Sequence, residues 1–132
     1  MPLFKRECLH CGLSVAAAPL EDLDQLPASL ICPKCDDDMM AQHDSTCLTR
    51  DIAHQRESVA KALEKLDAAL LKAWQGYYCS LRLIVGGGLI RTEVLGQLHF
   101  LQQRGLLQHY AEERPNRGAI LVTVRQVTGK SL

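Results

Sequence analysis

Four of the six cysteines fall into two tight pairs, Cys8 and Cys11 in "CLHC" and Cys32 and Cys35 in "CPKC". Each Cys-x-x-Cys turn aims two thiolates at a common centre. Two such turns on neighbouring hairpins supply the tetrahedral sulfur set of a closed structural zinc site. Gly12 after the first pair and Pro33 within the second suit the tight turns this requires. Two disulfides or a redox pair are the competing readings. Disulfides need an oxidising compartment, and a thioredoxin-type motif would occur once, within a βαβ pattern. With four cysteines present, His10 reads as a bystander rather than a ligand. A four-sulfur site leaves no open coordination position, so no reaction is expected at this metal. Cys47 and Cys79 stand alone and read as small buried apolar residues.

A second constellation lies in "LRLIVGGGLIR", residues 81–91, where Gly86, Gly87 and Gly88 follow an apolar run. A loop that only turned would need one glycine, so three together suggest a backbone that approaches something closely. The triplet ends a strand and opens onto a helix N-terminus. In open α/β sheets ligands bind at that place, and free backbone N–H groups there suit phosphate. The spacing fits neither G-x-G-x-x-G nor a P-loop, which argues against a nucleotide cofactor. A polynucleotide backbone fits better, because it needs close approach and donors but no enclosing pocket. Arg91, Arg114 and Arg117 are the cations expected to assist. The plain alternative is a flexible connection with solvated arginines.

The elements that must position these groups can be read from periodicity. At 132 residues, with 47% apolar and 23% charged residues, the chain has the composition of a globular protein with room for one ordinary domain plus a small module. No run of about 18 apolar residues is present and no apolar signal core precedes Cys8, so no membrane association and a cytoplasmic location are expected. Residues 1–45 read as a zinc ribbon, too small to fold by hydrophobic burial alone. Metal binding, typically worth roughly 10–16 kcal/mol, would stabilise it. The acidic run Asp36-Asp37-Asp38 reads as a solvated loop that disfavours nucleic acid at this module. Residues 46–132 read as the second domain. Residues 39–50 look like a connector, with Met39 and Met40 packing under the ribbon.

From Glu57 to Gln75 the apolar residues recur on one helix face, with Ser58 as N-cap and Gly76 as stop. "YYCSLRLIV" reads as a buried strand. Thr92 is expected to cap a second helix that ends near Gly105, and two strands follow, 107–112 and 119–127. With a short strand at Asp51 the order is βαβαββ, a small two-layer α/β sandwich. The net charge is zero but unevenly spread. Residues 1–78 hold 8 Lys/Arg against 12 Asp/Glu, and residues 79–132 hold 7 against 3. The C-terminal part is therefore the half expected to attract a polyanion.

The segment from Thr49 to Gln126 resembles the small MutS-related (Smr) domain. That family shows a Leu-Asp-Leu-His-Gly strand, an amphipathic helix, a strand ending in a His-Gly-x-Gly or Thr-Gly-x-Gly loop, another helix and a closing Gly-Gly-x-Gly-Ala strand. Asp51 falls on the family's aspartate and Ile52 on the leucine after it. Ala53 stands where the histidine belongs, and His54 is one place late. Gly86 and Gly88 match the second motif, with Val85 in place of its histidine or threonine and Gly87 at the variable position. Gly118 and Ala119 match the closing motif, with Asn116 and Arg117 where more glycine is usual. The resemblance implies a fold like that of the C-terminal domain of translation initiation factor 3, DNA or RNA binding and, in many members, endonuclease cleavage by the Asp-x-His pair.

By this resemblance Asp51 and His54 are the candidate catalytic pair. A strand puts Asp51 and the residue two along on one face, so His54, three along, is expected to point away unless the strand ends or bulges there. That expectation favours binding over cleavage. The leading reading is thus a nucleic-acid-binding protein, a zinc ribbon joined to an Smr-like domain. The alternatives are a winged-helix regulator with Glu93 to Arg104 as recognition helix, or a non-enzymatic adaptor whose ribbon contacts a protein.

Overall fold

In the computed structural model, which describes residues 4–17, 23, 30–86, 88–113 and 118–125, the periodicity read from the sequence becomes helix α1, Val59–Gln75. Ala62, Leu66, Ala69, Leu70 and Ala73 lie on one stripe and are all buried. The Ser58 hydroxyl accepts the Lys61 N–H at 3.1 Å, and Gly76 ends the helix by donating its N–H to the Lys72 carbonyl.

Four strands receive this apolar stripe: β3 (Cys47–Asp51), β4 (Ser80–Ile84), β5 (His109–Glu112) and β6 (Ala119–Thr123), in the order β3-β4-β6-β5. β3 and β4 are parallel, joined through α1, while β6 runs antiparallel to both β4 and β5. Alternation sends Leu81 and Leu83 of β4 and Ile120 and Val122 of β6 into one core. There they meet α1 and helix α2 (Leu89–Gln103), which contributes Val94, Leu98 and Leu101. This is the expected two-layer βαβαββ sandwich. On the other face of the sheet Arg82 pairs with Glu113 at 2.6 Å.

The structure departs from the sequence reading at particular points. β3 begins at Cys47, inside the stretch read as connector, and leaves Cys47 exposed rather than buried. α2 begins at Leu89, not after Thr92. Gly88, in an extended conformation, is the N-cap, so the helix opens directly on the glycine loop. β4 is a central strand parallel to β3, which leaves no place for the short helix that a winged helix requires before its recognition helix. Among the described residues no helix is long and apolar enough to cross a membrane.

The cysteine module is built on strands β1 (Phe4–Glu7) and β2 (Ser14–Ala17), an antiparallel pair. Met39 is fully buried against Cys8 and Cys32, as expected of it. Two buried guanidinium groups join the module to the sandwich. Arg6, from β1, donates to the carbonyls of Gln75 at 2.7 Å and Met39 at 3.2 Å. Arg125, just beyond β6, donates to Met40 at 2.8 Å, Tyr78 at 2.8 Å, Trp74 at 2.6 Å and Gly76 at 2.9 Å. The Tyr77 hydroxyl accepts the Glu7 N–H and donates to the Glu7 carbonyl.

Burial, and after it the nearby Arg6 charge, draws Arg125 down to about 10, so it stays cationic through the neutral range. Replacing Arg125 by Met removes four donors from largely buried carbonyls. The expected outcome is a loss of about 3–4 kcal/mol in urea unfolding, with Arg125→Lys recovering only part, because one ammonium cannot span all four acceptors. An unchanged midpoint for Arg125→Met would refute this role.

Candidate functional site

The two cysteine turns repeat one backbone design. Cys8 N–H donates to Leu13 O and Gly12 N–H to Cys8 O. In the same way Cys32 N–H donates to Asp37 O and Asp36 N–H to Cys32 O, all at 2.8–2.9 Å. Gly12 at φ +83° and Asp36 at φ +65° take the left-handed position in their respective turns, a conformation aspartate tolerates better than most residues. The four sulfurs lie within 4.8 Å of one another, with Cys8–Cys35 at 3.6 Å and Cys11–Cys32 at 3.7 Å. These separations are far beyond a disulfide bond of about 2.05 Å. A tetrahedral thiolate site with metal–sulfur bonds of about 2.3 Å places its sulfurs about 3.8 Å apart. The cluster fits a metal ion.

Donors around the sulfurs are already in place. The Gln42 side-chain amide donates to Cys8 Sγ at 3.3 Å and to Asp37 at 2.6 Å, while its oxygen accepts the Leu9 N–H at 2.8 Å. That amide, and then the backbone N–H groups of Cys11 and His10, bring the Cys8 thiol down to about 6 against the opposing effect of burial. The Asp37 N–H favours the thiolate at Cys35, but burial and the neighbouring sulfurs outweigh it and push Cys35 up to about 12. Four thiols so close cannot all ionise without a cation between them. The acidic run is also more than a solvated loop. Asp37 holds Gln42, and Asp38 accepts the N–H groups of Leu30 and Met40, both at 3.0 Å. Gln42 was not visible in the sequence as a supporting residue, since nothing in its spacing ties it to the cysteines.

At the other end of α1, β3 stops at Asp51 and the chain turns back on itself. Asp51 Oδ1 accepts the N–H groups of Ala53 at 3.0 Å and His54 at 3.2 Å. This side-chain capture of the backbone ends the strand and reverses the direction of residue 54. His54 Nδ1 consequently lies 2.8 Å from Asp51 Oδ2. The expected separation of the two side chains does not occur, and with it goes the ground for favouring binding over cleavage. Burial opposes ionisation of Asp51, but the Ala53 N–H and the His54 ring outweigh it and hold the carboxyl below the usual carboxylate range. An ionised carboxylate only accepts, so the shared proton belongs on Nδ1 and the lone pair of the neutral ring lies on Nε2.

Nε2 faces the glycine loop. A Cβ built on Gly86 would sit 3.9 Å from it, and Gly86 is at φ +68°. The Gly118 carbonyl accepts from Val85 at 2.7 Å and from Gly86 at 3.1 Å, so the amide of Gly86 is committed to the fold. Gly88 is exposed, and no side chain caps the first turn of α2. His54, Glu57, Ser58, Gly86, Gly88 and Ile90 line a cleft of about 530 Å³ between the two helix N-termini. Glu57 shapes its floor by accepting the Gln55 N–H at 2.7 Å and pairing with Lys65 at 2.5 Å.

Of the expected cations only Arg91 lies among the described residues. Arg91 is ion-paired with Glu112 of β5, which takes up its charge. Arg114, Arg117 and Gly87 lie outside the described residues. No family model matches the chain, and no curated protein matches it. Among solved structures, the Smr domain of Thermus thermophilus MutS2 superposes with a TM-score of 0.51 at 25% identity, over 60% of this chain and 99% of that one. The chain carries an Smr-like domain.

The sulfur cluster leads to a direct measurement. Metal analysis of the purified chain is expected to give one bound ion per chain. Gln42→Leu should weaken metal affinity roughly 10–100-fold in a chelator competition, because Cys8 loses its amide donor. Affinity unchanged in that variant would show the amide to be incidental.

Proposed function

We propose that the chain is a nucleic-acid endonuclease, in which a structural zinc ribbon within residues 1–45 precedes an Smr-like domain over 46–132 that binds the polymer and cuts it at Asp51 and His54. One observation carries the reading: the Asp51 carboxylate holds His54 Nδ1 at 2.8 Å and turns Nε2 toward the glycine loop. Four sulfurs at tetrahedral spacing are the donor set zinc prefers, with Cys8, Cys11, Cys32 and Cys35 as ligands. Bound there, zinc would supply folding energy and leave no coordination position for substrate. Reduced thiols of this kind suit a cytoplasmic location.

The chemistry asked of the second site is proton transfer. A phosphodiester lying beside Gly86 and Gly88 presents its oxygens to the first turn of α2, where backbone N–H groups without a side-chain cap stabilise developing negative charge. His54 Nε2 takes the proton from an attacking oxygen, a water or a neighbouring ribose hydroxyl. A new P–O bond forms as the opposite one breaks, and the departing oxygen takes its proton from solvent water. Asp51 fixes the ring's orientation and stabilises the imidazolium that results. Val85 occupies the place where the Smr motif has histidine or threonine, so the loop contributes backbone rather than a further side chain.

Purified, metal-loaded chain incubated with labelled single-stranded and duplex DNA and RNA tests this. His54→Ala is expected to slow cleavage about 100- to 10,000-fold while leaving affinity nearly unchanged. Asp51→Asn should also slow it, since an amide favours the wrong ring tautomer. Binding without cutting by the natural chain would remove the nuclease half of the proposal. Absence of binding even at low salt would remove it all.

A further inference from the structure

A second cleft, of about 420 Å³, opens on the other side of the Asp51–His54 pair, between the free edge of β3 and the flank of α1. Arg50, Asp51, Lys65 and Lys72 line it, over a floor that includes Ile52 and Ala69. Lys61, Lys65 and Lys72 stand at i, i+4 and i+11, so all three project from one stripe of the helix. The stripe is about 16 Å long. Arg50 reaches only the carbonyl of its neighbour Thr49, at 3.0 Å, and Lys72 is exposed. Their charges are therefore offered outward. Lys65 is partly engaged by Glu57.

We infer that this groove is the docking track for the sugar–phosphate backbone of a single polynucleotide strand, continuing the path that begins at the glycine loop and passes the Asp51–His54 pair. The inference rests on the proposed nucleic-acid reading and adds the surface that supplies its positive charge. Charge complementarity selects the occupant. The lining residues that define the cleft beside Gly86 carry no lysine or arginine, while three line the groove beyond Asp51. The cations of the groove meet phosphates, which position a strand without reading its sequence, and Gln55 is the lining residue with an amide to offer a base edge. The two clefts divide the work, one presenting the reacting phosphate to His54 and the other gripping the neighbouring phosphates.

Fluorescence anisotropy with labelled single strands of DNA and RNA, titrated against metal-loaded chain over a range of salt, tests the groove. Arg50→Ala/Lys72→Ala is expected to weaken binding about tenfold at low salt and to flatten the slope of log K against log salt by about 1.4, the loss of two phosphate contacts on a single strand. Lys34→Gln/Arg104→Gln removes the same charge from other exposed positions and should leave the slope unchanged. At saturating substrate the groove variant should cut at the natural rate, with only the half-saturation concentration raised. A natural slope in the groove variant would overturn the inference, as would an equal loss in the control. If the natural chain binds and His54→Ala abolishes cutting while the groove variant binds normally, the groove alone is wrong. If the natural chain binds no strand, both proposals fall together.

Discussion

The carbonyl end of α1 is the point on which the arrangement depends. A helix leaves its last four carbonyls without intrahelical partners, and the summed peptide dipoles make that end negative. Here the end is enclosed rather than solvated. Arg6 arrives from the cysteine module and Arg125 from the close of the sheet, and both donate into it. Burial lowers the proton affinity of both guanidinium groups; at Arg125 the nearby Arg6 charge adds to it, while at Arg6 the neighbouring Tyr77 and Asp38 oppose it. The carbonyls of Trp74, Gln75, Gly76, Tyr78, Met39 and Met40 offset the cost of burial, and the rings of Tyr77 and Trp74 lie 4.7 Å and 5.0 Å from the two cations. Polar groups hold the cysteine module to the sandwich, beside an apolar contact in which Leu23 packs into the sandwich core. Such a joint fixes orientation, because each donor fits only one set of acceptors.

The opposite end of the same helix organises the candidate chemistry. Ser58 caps it, Glu57 pairs with Lys65 about two turns in, and the strand-ending turn at Asp51 delivers His54 just ahead of the cap. α2 begins beside it, so two helix N-termini converge on one cleft, where their dipoles favour an anion. Gly118 fixes the glycine loop to the close of the sheet through Val85 and Gly86. The position of Gly86 relative to His54 is thus set by backbone hydrogen bonds rather than by flexible side chains. That is the rigidity a proton-transfer site requires.

Much of this was legible in the sequence, and the exceptions have physical causes. α1 could be read to within two residues because its apolar stripe, serine cap and glycine stop agree. The sulfur turns could be read because their spacing alone determines their geometry. His54 could not. Period-two alternation sends residue 54 away from residue 51, and only the capture of two N–H groups by the Asp51 side chain reverses it. The start of α2 was hidden because Gly88 caps it without a side-chain signature, which drew attention to Thr92 instead. Arg125 looked like an ordinary residue near the end of the strand read over 119–127, which stops at Thr123, and nothing local betrays four distant carbonyls. Arg91 looked free because its partner, Glu112, is separated by a helix and a turn.

Charge shows the same limit from another side. Summed by halves of the chain, positive charge belongs to residues 79–132, yet the cations that face the candidate path sit on β3 and α1, in the net acidic half. Four acids of that half are already engaged, two of them beside the groove. Asp37 and Asp38 hold the sulfur turns, Asp51 holds His54, and Glu57 engages Lys65. What remains exposed is governed by which carboxylates the fold has already consumed, and a running sum along the sequence cannot register that. A polyanion responds to the field at the surface, so Arg50 and Lys72 are cations it would meet although they lie in a net acidic stretch of sequence. The described lining of the cleft at Gly86 holds no lysine or arginine. Cations one step along the strand, at Arg50 and Lys72, would hold it without competing with the helix amides for the reacting phosphate or with Asp51 for the imidazolium.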